Sequence, residues 1–404
     1  MQTVRRRAIG DRRPEHLARD GAVGTAHELL DERAVGILPG FEAALQLPTD
    51  CPPWLEWLST EHGVDFDSGI AALATEPERH EDLSQSTFMT DHLLAWLERQ
   101  DGPWFAHASY LRPHPPYAAA GRFATMYDPD ECGGWIPADA PERLTGVHRT
   151  MLQHPWLIAP ADHAELRHLR SQYFGMVSEV DAQLGRIWER LRSLGAWDDT
   201  VIVVTADHGE QLGDQGLVQK AGFFESSYHI LGIVREPRRP AGHGTVVERF
   251  TENVDMVPTL CEAMGLPIPA QCDGYPLTPF LDATDPPVWR DAAHYEFDWR
   301  DLLMRFRPGD GRPWDRKLES ANLAVLRSES RAFVQFGNGS WKCFDLAADP
   351  TWRTEIDDPA VVLQDSVAMS TWRGLHLDRT LTGMLLEDGG IGRIPDSSPF
   401  LGAR

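Results

Sequence analysis

Several features that mark large classes of protein are scarce or missing in this chain. Only five of its 404 residues are cysteine, at Cys51, Cys132, Cys261, Cys272 and Cys343. They show no CxxC spacing, and an odd, sparse set suits reduced thiols in a cytoplasm rather than a disulfide framework. No run of about 18 apolar residues occurs, so no membrane-spanning helix is expected and no membrane partner. The basic start at Arg5-Arg6-Arg7 is followed by Ala8-Ile9-Gly10-Asp11-Arg12-Arg13, which cannot serve as the apolar region of a signal peptide. A cytoplasmic location is the resulting expectation. Positive charge is also short, with 38 Lys+Arg against 61 Asp+Glu and a net charge of −23. That balance repels phosphate backbones, so nucleic acid is not an expected partner, and an anionic substrate has to be captured by a local positive site. Internal repeats and low-complexity tracts are absent.

What is present is ordinary for a globular protein: 42% apolar and 25% charged residues, in a chain long enough for one large domain or two ordinary ones. Residues 1–34 are rich in Arg, Asp and Glu with weak periodicity, and are expected to be poorly ordered. A first domain is expected over 35–285 and a smaller C-terminal subdomain over 286–404. Ser86 can cap a helix running to about Arg99, with Leu93, Leu94 and Leu97 on one face. Trp104 to Leu111 reads as a strand that runs into the Pro-rich loop Arg112-Pro113-His114-Pro115-Pro116. From Pro115 to about Ala161 the Pro, Gly and Asp content suggests a long surface excursion. The clearest helix follows: Leu166, Leu169, Tyr173, Met176, Val180, Leu184, Ile187, Leu191 and Leu194 recur at steps of three and four, and Gly195 stops it. Thr200-Val201-Ile202-Val203-Val204-Thr205 is β-branched throughout and predicts a buried, parallel strand. A further helix is expected over Val254 to Met264, with Val257, Leu260 and Met264 on one face. Leu323–Leu326 and Ala332–Phe336 predict short antiparallel strands, followed by a last helix. The fold class implied is α/β: a mostly parallel sheet flanked by helices, with residues 201–205 central, plus a small C-terminal α+β subdomain.

Chemistry concentrates where the β-branched strand ends, at Thr205-Ala206-Asp207-His208-Gly209. Asp207 and His208 offer one carboxylate and one imidazole to a divalent cation, a common donor pair. Such a set suits Mn²⁺, Mg²⁺ or Ca²⁺ and is compatible with zinc. Gly209 permits close approach of backbone or ligand. Lys220 follows after a Gly-containing loop that can fold back, so that its ammonium faces an anion beside the metal.

The stretch Thr205 to Asp214, with Lys220 downstream, resembles the second metal-ligand segment of sulfatases in the alkaline phosphatase superfamily. His after Asp is most similar to the phosphonate monoester hydrolase branch. Arg112-Pro113-His114-Pro115-Pro116-Tyr117 resembles that branch's substrate-histidine loop, and Tyr173 to Asp181 its helix ahead of the metal strand. His294 to Arg300 and Asp378-Arg379-Thr380-Leu381-Thr382 resemble its C-terminal region. The resemblance runs from about residue 35 to 385. It implies an alkaline-phosphatase-like fold and metal-dependent hydrolysis of sulfate, phosphonate or phosphate monoesters, small anionic substrates. Asp207 and His208 would then ligate the metal, Lys220 would contact the sulfuryl or phosphoryl oxygens, and His114 would contact the ester oxygen or protonate the leaving group.

The chain departs from the family in its first half. Members carry paired acidic ligands after a first strand and a nucleophile in Cys-x-Pro/Ala-x-Arg. Here Cys51-Pro52-Pro53-Trp54-Leu55 has Leu where Arg is required. Thr75-Glu76-Pro77-Glu78-Arg79 has the spacing but the wrong order in the chain and two carboxylates, a chance match. Asp31-Glu32-Arg33 lies in a polar, strandless segment. After the Lys220 loop, His229 and Leu231 stand where the family favours Arg and Pro. Three readings follow: a family hydrolase; a catalytically inactive remnant that binds at most an anion, a metal or a partner; or a gene fragment whose residues 1–34 come from a wrong start or frame. Hydrolysis at background rate only, and self-association into homo-oligomers through an uncovered sheet edge, are the expectations for the chain by itself.

Overall fold

The computed structural model describes residues 50–269, 272–300 and 321–376, with residues 44, 45, 47 and 303 and the backbone of the short strands named below. The expected poor order of residues 1–34 lies outside the described residues, apart from two strand backbones, as do Asp31-Glu32-Arg33 and the segment Asp378 to Thr382. Contacts divide the chain into two compact units, residues 1–134 with 160–197, and residues 135–159 with 198–404.

The first unit holds a four-stranded sheet. Its strands are β1 (Gln2–Arg5), β2 (Val23–Thr25), β3 (Leu45–Leu47) and β4 (Trp104–Ser109), in the order β1-β4-β2-β3. β2 pairs in parallel with β3 and β4, and β1 pairs antiparallel with β4. Two helices dominate the rest. Helix Gln85–Leu97 is capped by Ser84, whose hydroxyl accepts from the Thr87 amide; Ser86, the expected cap, is instead buried in its first turn. Both serines precede the same apolar stripe, so composition does not choose between them, whereas the extended backbone of Ser84 does. Leu93, Leu94 and Leu97 are buried as expected. The long helix is His163–Ser193, capped by Asp162, and Gly195 beyond it takes a left-handed φ of 66°. Gln183 Nε2 donates to Thr87 Oγ1 at 3.0 Å, and Arg186 and Arg190 pair with Asp91 and Glu98, which sets the two helices side by side.

The segment 115–161 is a surface excursion in its middle, where most of residues 125–146 are exposed, but both of its ends are anchored in cores. Ala119, Met151 and Leu157 are 0–1% exposed. Ala119 and Phe123 pack on Met176 of the long helix within the first unit, while Val147, Met151 and Leu157 join the core of the second. Pro and Gly break regular structure without forcing exposure, and short apolar runs between them find partners.

In the second unit β5 (Ile202–Thr205) and β6 (Gly232–Arg235) form an antiparallel pair. A buried, central, parallel strand was the expectation for 200–205. Among the described residues β5 has one partner, an antiparallel one, and its residues are half-buried, with Thr205 exposed. β-branched composition favours an extended chain but does not state how many neighbours it has. The helix expected over 254–264 forms as a short turn and then Met256–Ala263. Its buried side is Pro258, Thr259, Cys261 and Ala263, whereas Val257 is 51% exposed, so the expected face is rotated.

The C-terminal sheet is antiparallel, in the order β10-β9-β8-β7, from β7 (Ala292–Asp298), β8 (Asn322–Ser328), β9 (Arg331–Phe336) and β10 (Trp341–Asp345). Period-two alternation sends Leu323 and Val325 into one core with Phe223, Phe224 and Trp299, and Ala324 and Leu326 into another beneath helix Pro359–His376 and its Met369. Arg331 clamps that helix through both carboxylate oxygens of the buried Asp365, at 3.0 and 2.9 Å. A further hairpin joins β11 (Met384–Glu387) to β12 (Gly390–Arg393). None of the five cysteines is joined in a disulfide. No helix among the described residues is long and apolar enough to cross a membrane.

Candidate active site

The end of β5 is braced before it reaches the site. The single Thr205 hydroxyl proton is shared between the Leu231 carbonyl at 3.0 Å and Asn253 Oδ1 at 2.9 Å, and Asn253 Nδ2 donates to the Ala206 carbonyl at 2.8 Å. The chain then turns at Gly209, whose amide donates to the Ser227 carbonyl at 2.7 Å. A side chain on Gly209 would put its Cβ 2.2 Å from the Ser226 carbonyl oxygen. The close approach expected there is therefore between backbones, and it seats the loop on helix Glu225–Tyr228.

The following loop folds back on itself. Gln211, fully buried, donates three times: its backbone amide to the Gln219 carbonyl at 2.9 Å, and its Nε2 to the Ala221 carbonyl and Ser227 Oγ at 2.9 and 2.7 Å. This closure returns Lys220 to the start of the loop, where its Nζ lies 3.3 Å from His208 Nε2. The other ring nitrogen of His208 lies 2.8 Å from the Gly209 carbonyl, a partner that can only accept. Nδ1 therefore donates to that carbonyl, and Nε2 faces Lys220 and Asp207 Oδ2, the latter 3.4 Å away. Asp207 is held by its own Oδ1, which accepts the His208 amide at 3.0 Å, and its carboxylate is otherwise well exposed.

Asp207, His208 and Lys220 line one cavity of about 350 Å³ with Tyr228, Tyr295, Glu296 and Phe297. Tyr228 and Tyr295 stack at 4.2 Å, 14° from parallel. Their hydroxyls donate to the Gly222 and Phe223 carbonyls, at 3.3 and 3.0 Å. Burial holds both phenols well above their ordinary range. They are therefore neutral walls rather than acids or bases. Glu296 is paired with Arg373 at 2.9 Å.

Sequence reasoning missed this aromatic wall. Its signal was present in part, because Tyr295 and Phe297 are two residues apart on a strand and so share a face; Tyr228, on a helix of one turn, left none. His114 belongs to the other unit, on the loop after β4. It is exposed, with Nδ1 2.7 Å from the Pro115 carbonyl and its amide donating to the Leu111 carbonyl at 2.9 Å.

The donor set for a divalent ion is small. Among the described residues no group of three or more His, Cys, Asp or Glu side chains converges. Asp207 and His208 fit as a pair of donors, one anionic oxygen and one imidazole nitrogen turned the same way.

The two sulfur or hydroxyl groups nearest in sequence to a nucleophile motif are otherwise engaged. Cys51 is buried, its Sγ accepts from Gln85 Nε2 at 2.9 Å, and burial pushes its thiol up to about 11. A low thiolate population makes a poor nucleophile. Thr75 closes helix Gly69–Ala74: its Oγ1 donates to the Ala71 carbonyl at 2.9 Å and accepts from Arg79 at 2.8 Å.

Comparison with known proteins adds the following. The family model described as Sulfatase matches residues 49–266. A multifunctional alkaline phosphatase superfamily protein, PehA, of Trinickia caryophylli is 35% identical over 335 residues, 78% of this chain and 65% of that protein. A choline-sulfatase of Rhizobium meliloti is 25% identical over 340 residues, 80% and 60% of the two chains. The chain thus spans 60–65% of the length of these curated relatives. The crystal structure of a phosphonate monoester hydrolase of Agrobacterium radiobacter superposes with a TM-score of 0.77 at 32% identity, over 93% of this chain and 82% of that one. A second phosphonate monoester hydrolase, from Silicibacter pomeroyi, gives 0.73 at 29%, over 88% and 75%. The architecture, mixed helix and sheet with a small C-terminal antiparallel sheet, is that of alkaline-phosphatase-like sulfatases.

Proposed function

Because this chain belongs to the sulfatase family, we propose that it carries the anion- and metal-binding part of a site that hydrolyses sulfate, phosphonate or phosphate monoesters. The observation that carries this reading is the meeting of Lys220, His208 and Asp207 in one aromatic-walled cavity. Lys220 supplies a compact positive charge in a chain of net charge −23, and its ammonium donates hydrogen bonds to the non-bridging oxygens of the ester. Asp207 and His208 would hold a divalent ion, and such an ion would supply Lewis-acid chemistry at an ester oxygen. With two protein donors, such an ion would be held weakly. The wall of Tyr228, Tyr295 and Phe297 receives the apolar part of the ester, by stacking. We assign the proton for the leaving oxygen to His114, which gives it from Nε2 of the imidazolium while its Nδ1–H stays on the Pro115 carbonyl.

A second reading is favoured by the state of Cys51 and Thr75. The thiol is buried and held protonated, and the threonine hydroxyl is committed to Ala71 and Arg79, so neither of these two groups is an activated nucleophile. Binding of the anion without turnover is the consequence for this chain by itself. Hydrolysis of p-nitrophenyl phosphonate and p-nitrophenyl sulfate, with and without Mn²⁺, decides between the two. Background rate, with saturable binding of the unreacted ester that weakens in Lys220→Met, fits binding without turnover. Turnover that disappears in Asp207→Ala establishes a hydrolase and overturns the second reading. No binding and no turnover would overturn both.

A further inference from the structure

The loop that carries His114 is gripped from beneath by one side chain. Arg112 is 2% exposed, yet every donor on its guanidinium has an acceptor. Nε donates to Glu76 Oε2 at 3.1 Å, and Nη2 donates to the same oxygen and to the Leu73 carbonyl at 3.0 Å. Nη1 donates to the Pro116 carbonyl at 2.7 Å and to the His114 carbonyl at 3.2 Å. A guanidinium has five N–H donors in a rigid fork, and here all five are used. Glu76 is 1% exposed and is fixed in turn, since its Oε1 accepts the Gln85 amide at 2.9 Å, at the start of helix Gln85–Leu97.

The two carbonyls that Nη1 binds lie on either side of the Pro115 carbonyl. That carbonyl is the partner of His114 Nδ1. Holding residues 114 and 116 therefore orients residue 115, and residue 115 in turn sets which ring nitrogen of His114 bears the proton. The amide of His114 is tied to the Leu111 carbonyl, so its backbone is held at both ends.

We infer that Arg112, anchored by Glu76, is the positioning residue for His114: it fixes the loop so that the imidazole keeps its proton on Nδ1 and presents Nε2. The inference deepens the proposed function, because it rests on His114 being the group that meets the ester. It also explains why the pair is buried. A buried ion pair is a poor source of stability compared with apolar packing, but a fully satisfied one specifies a single geometry.

The test uses the full chain with ¹⁵N-labelled histidine, the His114 signals being identified by their loss in His114→Gln. In the wild type, His114 is expected to show a protonated Nδ1 and an acceptor Nε2. Arg112→Lys keeps the charge but offers three donors in a different geometry, and Glu76→Gln keeps the shape but removes the anchoring charge. Both are expected to lose the Nδ1-protonated signature of His114 while the other histidine signals stay in place. An unchanged His114 signature in either variant, folded by circular dichroism, overturns the inference. If Arg112→Lys does not fold, Glu76→Gln decides; if Glu76→Gln does not fold, Arg112→Lys does. Addition of phenylphosphonate separates this from the functional reading. If the wild-type His114 signals do not move on saturation, His114 does not meet the ester and that reading fails, whatever the variants show.

Discussion

Glu179 gives the sharpest quantitative expectation. It lies on the long helix His163–Ser193 with 0% of its surface exposed. Burial and then the charge of Glu76 push its carboxyl up to about 7, against an opposing pull from Arg112, Ser86 and Ser84. The sign follows from proton counting. Between the ordinary value of 4.5 and about 7 the unfolded chain has released the proton and the folded chain has kept it. Stability therefore falls as pH rises through that window and stays lower above it. At ~1.4 kcal/mol per pH unit, the interval amounts to roughly 3 kcal/mol. Glu179→Gln keeps the shape and removes the titration. The variant is expected to match the wild type near pH 4.5, to gain on it progressively above, and to lead by about 3 kcal/mol at pH 8. Urea unfolding at pH 5, 6, 7 and 8 reads the difference, and hydrogen exchange of the amides of residues 170–190 localises it to this unit. A constant offset at every pH, or a Gln variant less stable than wild type at pH 8, would refute the reasoning. Either outcome would mean that the carboxylate is solvated or paired well enough to ionise at its ordinary value.

Other expectations concern the second unit. Gly209→Ala forces a methyl to within 2.2 Å of the Ser226 carbonyl oxygen; a loss of roughly 1–3 kcal/mol in urea unfolding is expected, together with loss of phenylphosphonate binding. Lys220→Met should weaken binding of phenylphosphonate or sulfate about 10–100-fold in calorimetry, with an unchanged melting temperature, since among the described residues its ammonium meets a histidine ring rather than a buried carboxylate. Asn253→Ala removes two hydrogen bonds that brace the end of β5, to Thr205 and to the Ala206 carbonyl. The expected loss is about 1–3 kcal/mol, with faster exchange of the amides around Asp207.

Local chemistry was legible in the sequence wherever the signal was local. The three- and four-residue spacing from Leu166 to Leu191 gave the long helix, and Gly195 its stop, because helical periodicity and a left-handed cap are both written in neighbouring residues. Asp207, His208 and Lys220 were readable as one group because a short loop joins them, and the loop does close. The rotated face of Met256–Ala263 was not readable: Val257 looks apolar from any direction, and only the packed unit shows that Pro258 and Cys261 take the inside. The single partner of β5 was hidden for a similar reason, since strand composition carries no count of neighbours.

Charge burial is the other thing that sequence could not supply, and it is what ties His114 to the rest of its unit. Glu76 follows a helix of six residues and reads as a surface acid, Arg112 reads as a loop cation, and Glu179 looks like one more polar residue on a long amphipathic helix. Folding places all three out of water, with one guanidinium for two carboxylates. Arg112 gives its charge to Glu76 through Nε and Nη2 and its remaining donors to backbone carbonyls. No N–H is left over for Glu179, so burial beside the Glu76 charge raises its carboxyl to about 7. The arrangement is thus asymmetric for a reason of donor geometry: five N–H groups are enough to hold one carboxylate, one helix end and one loop, and no more. If Arg112 were replaced by Lys, with three donors, the loop carbonyls and Glu76 would compete for them, and the His114 loop would be the part released.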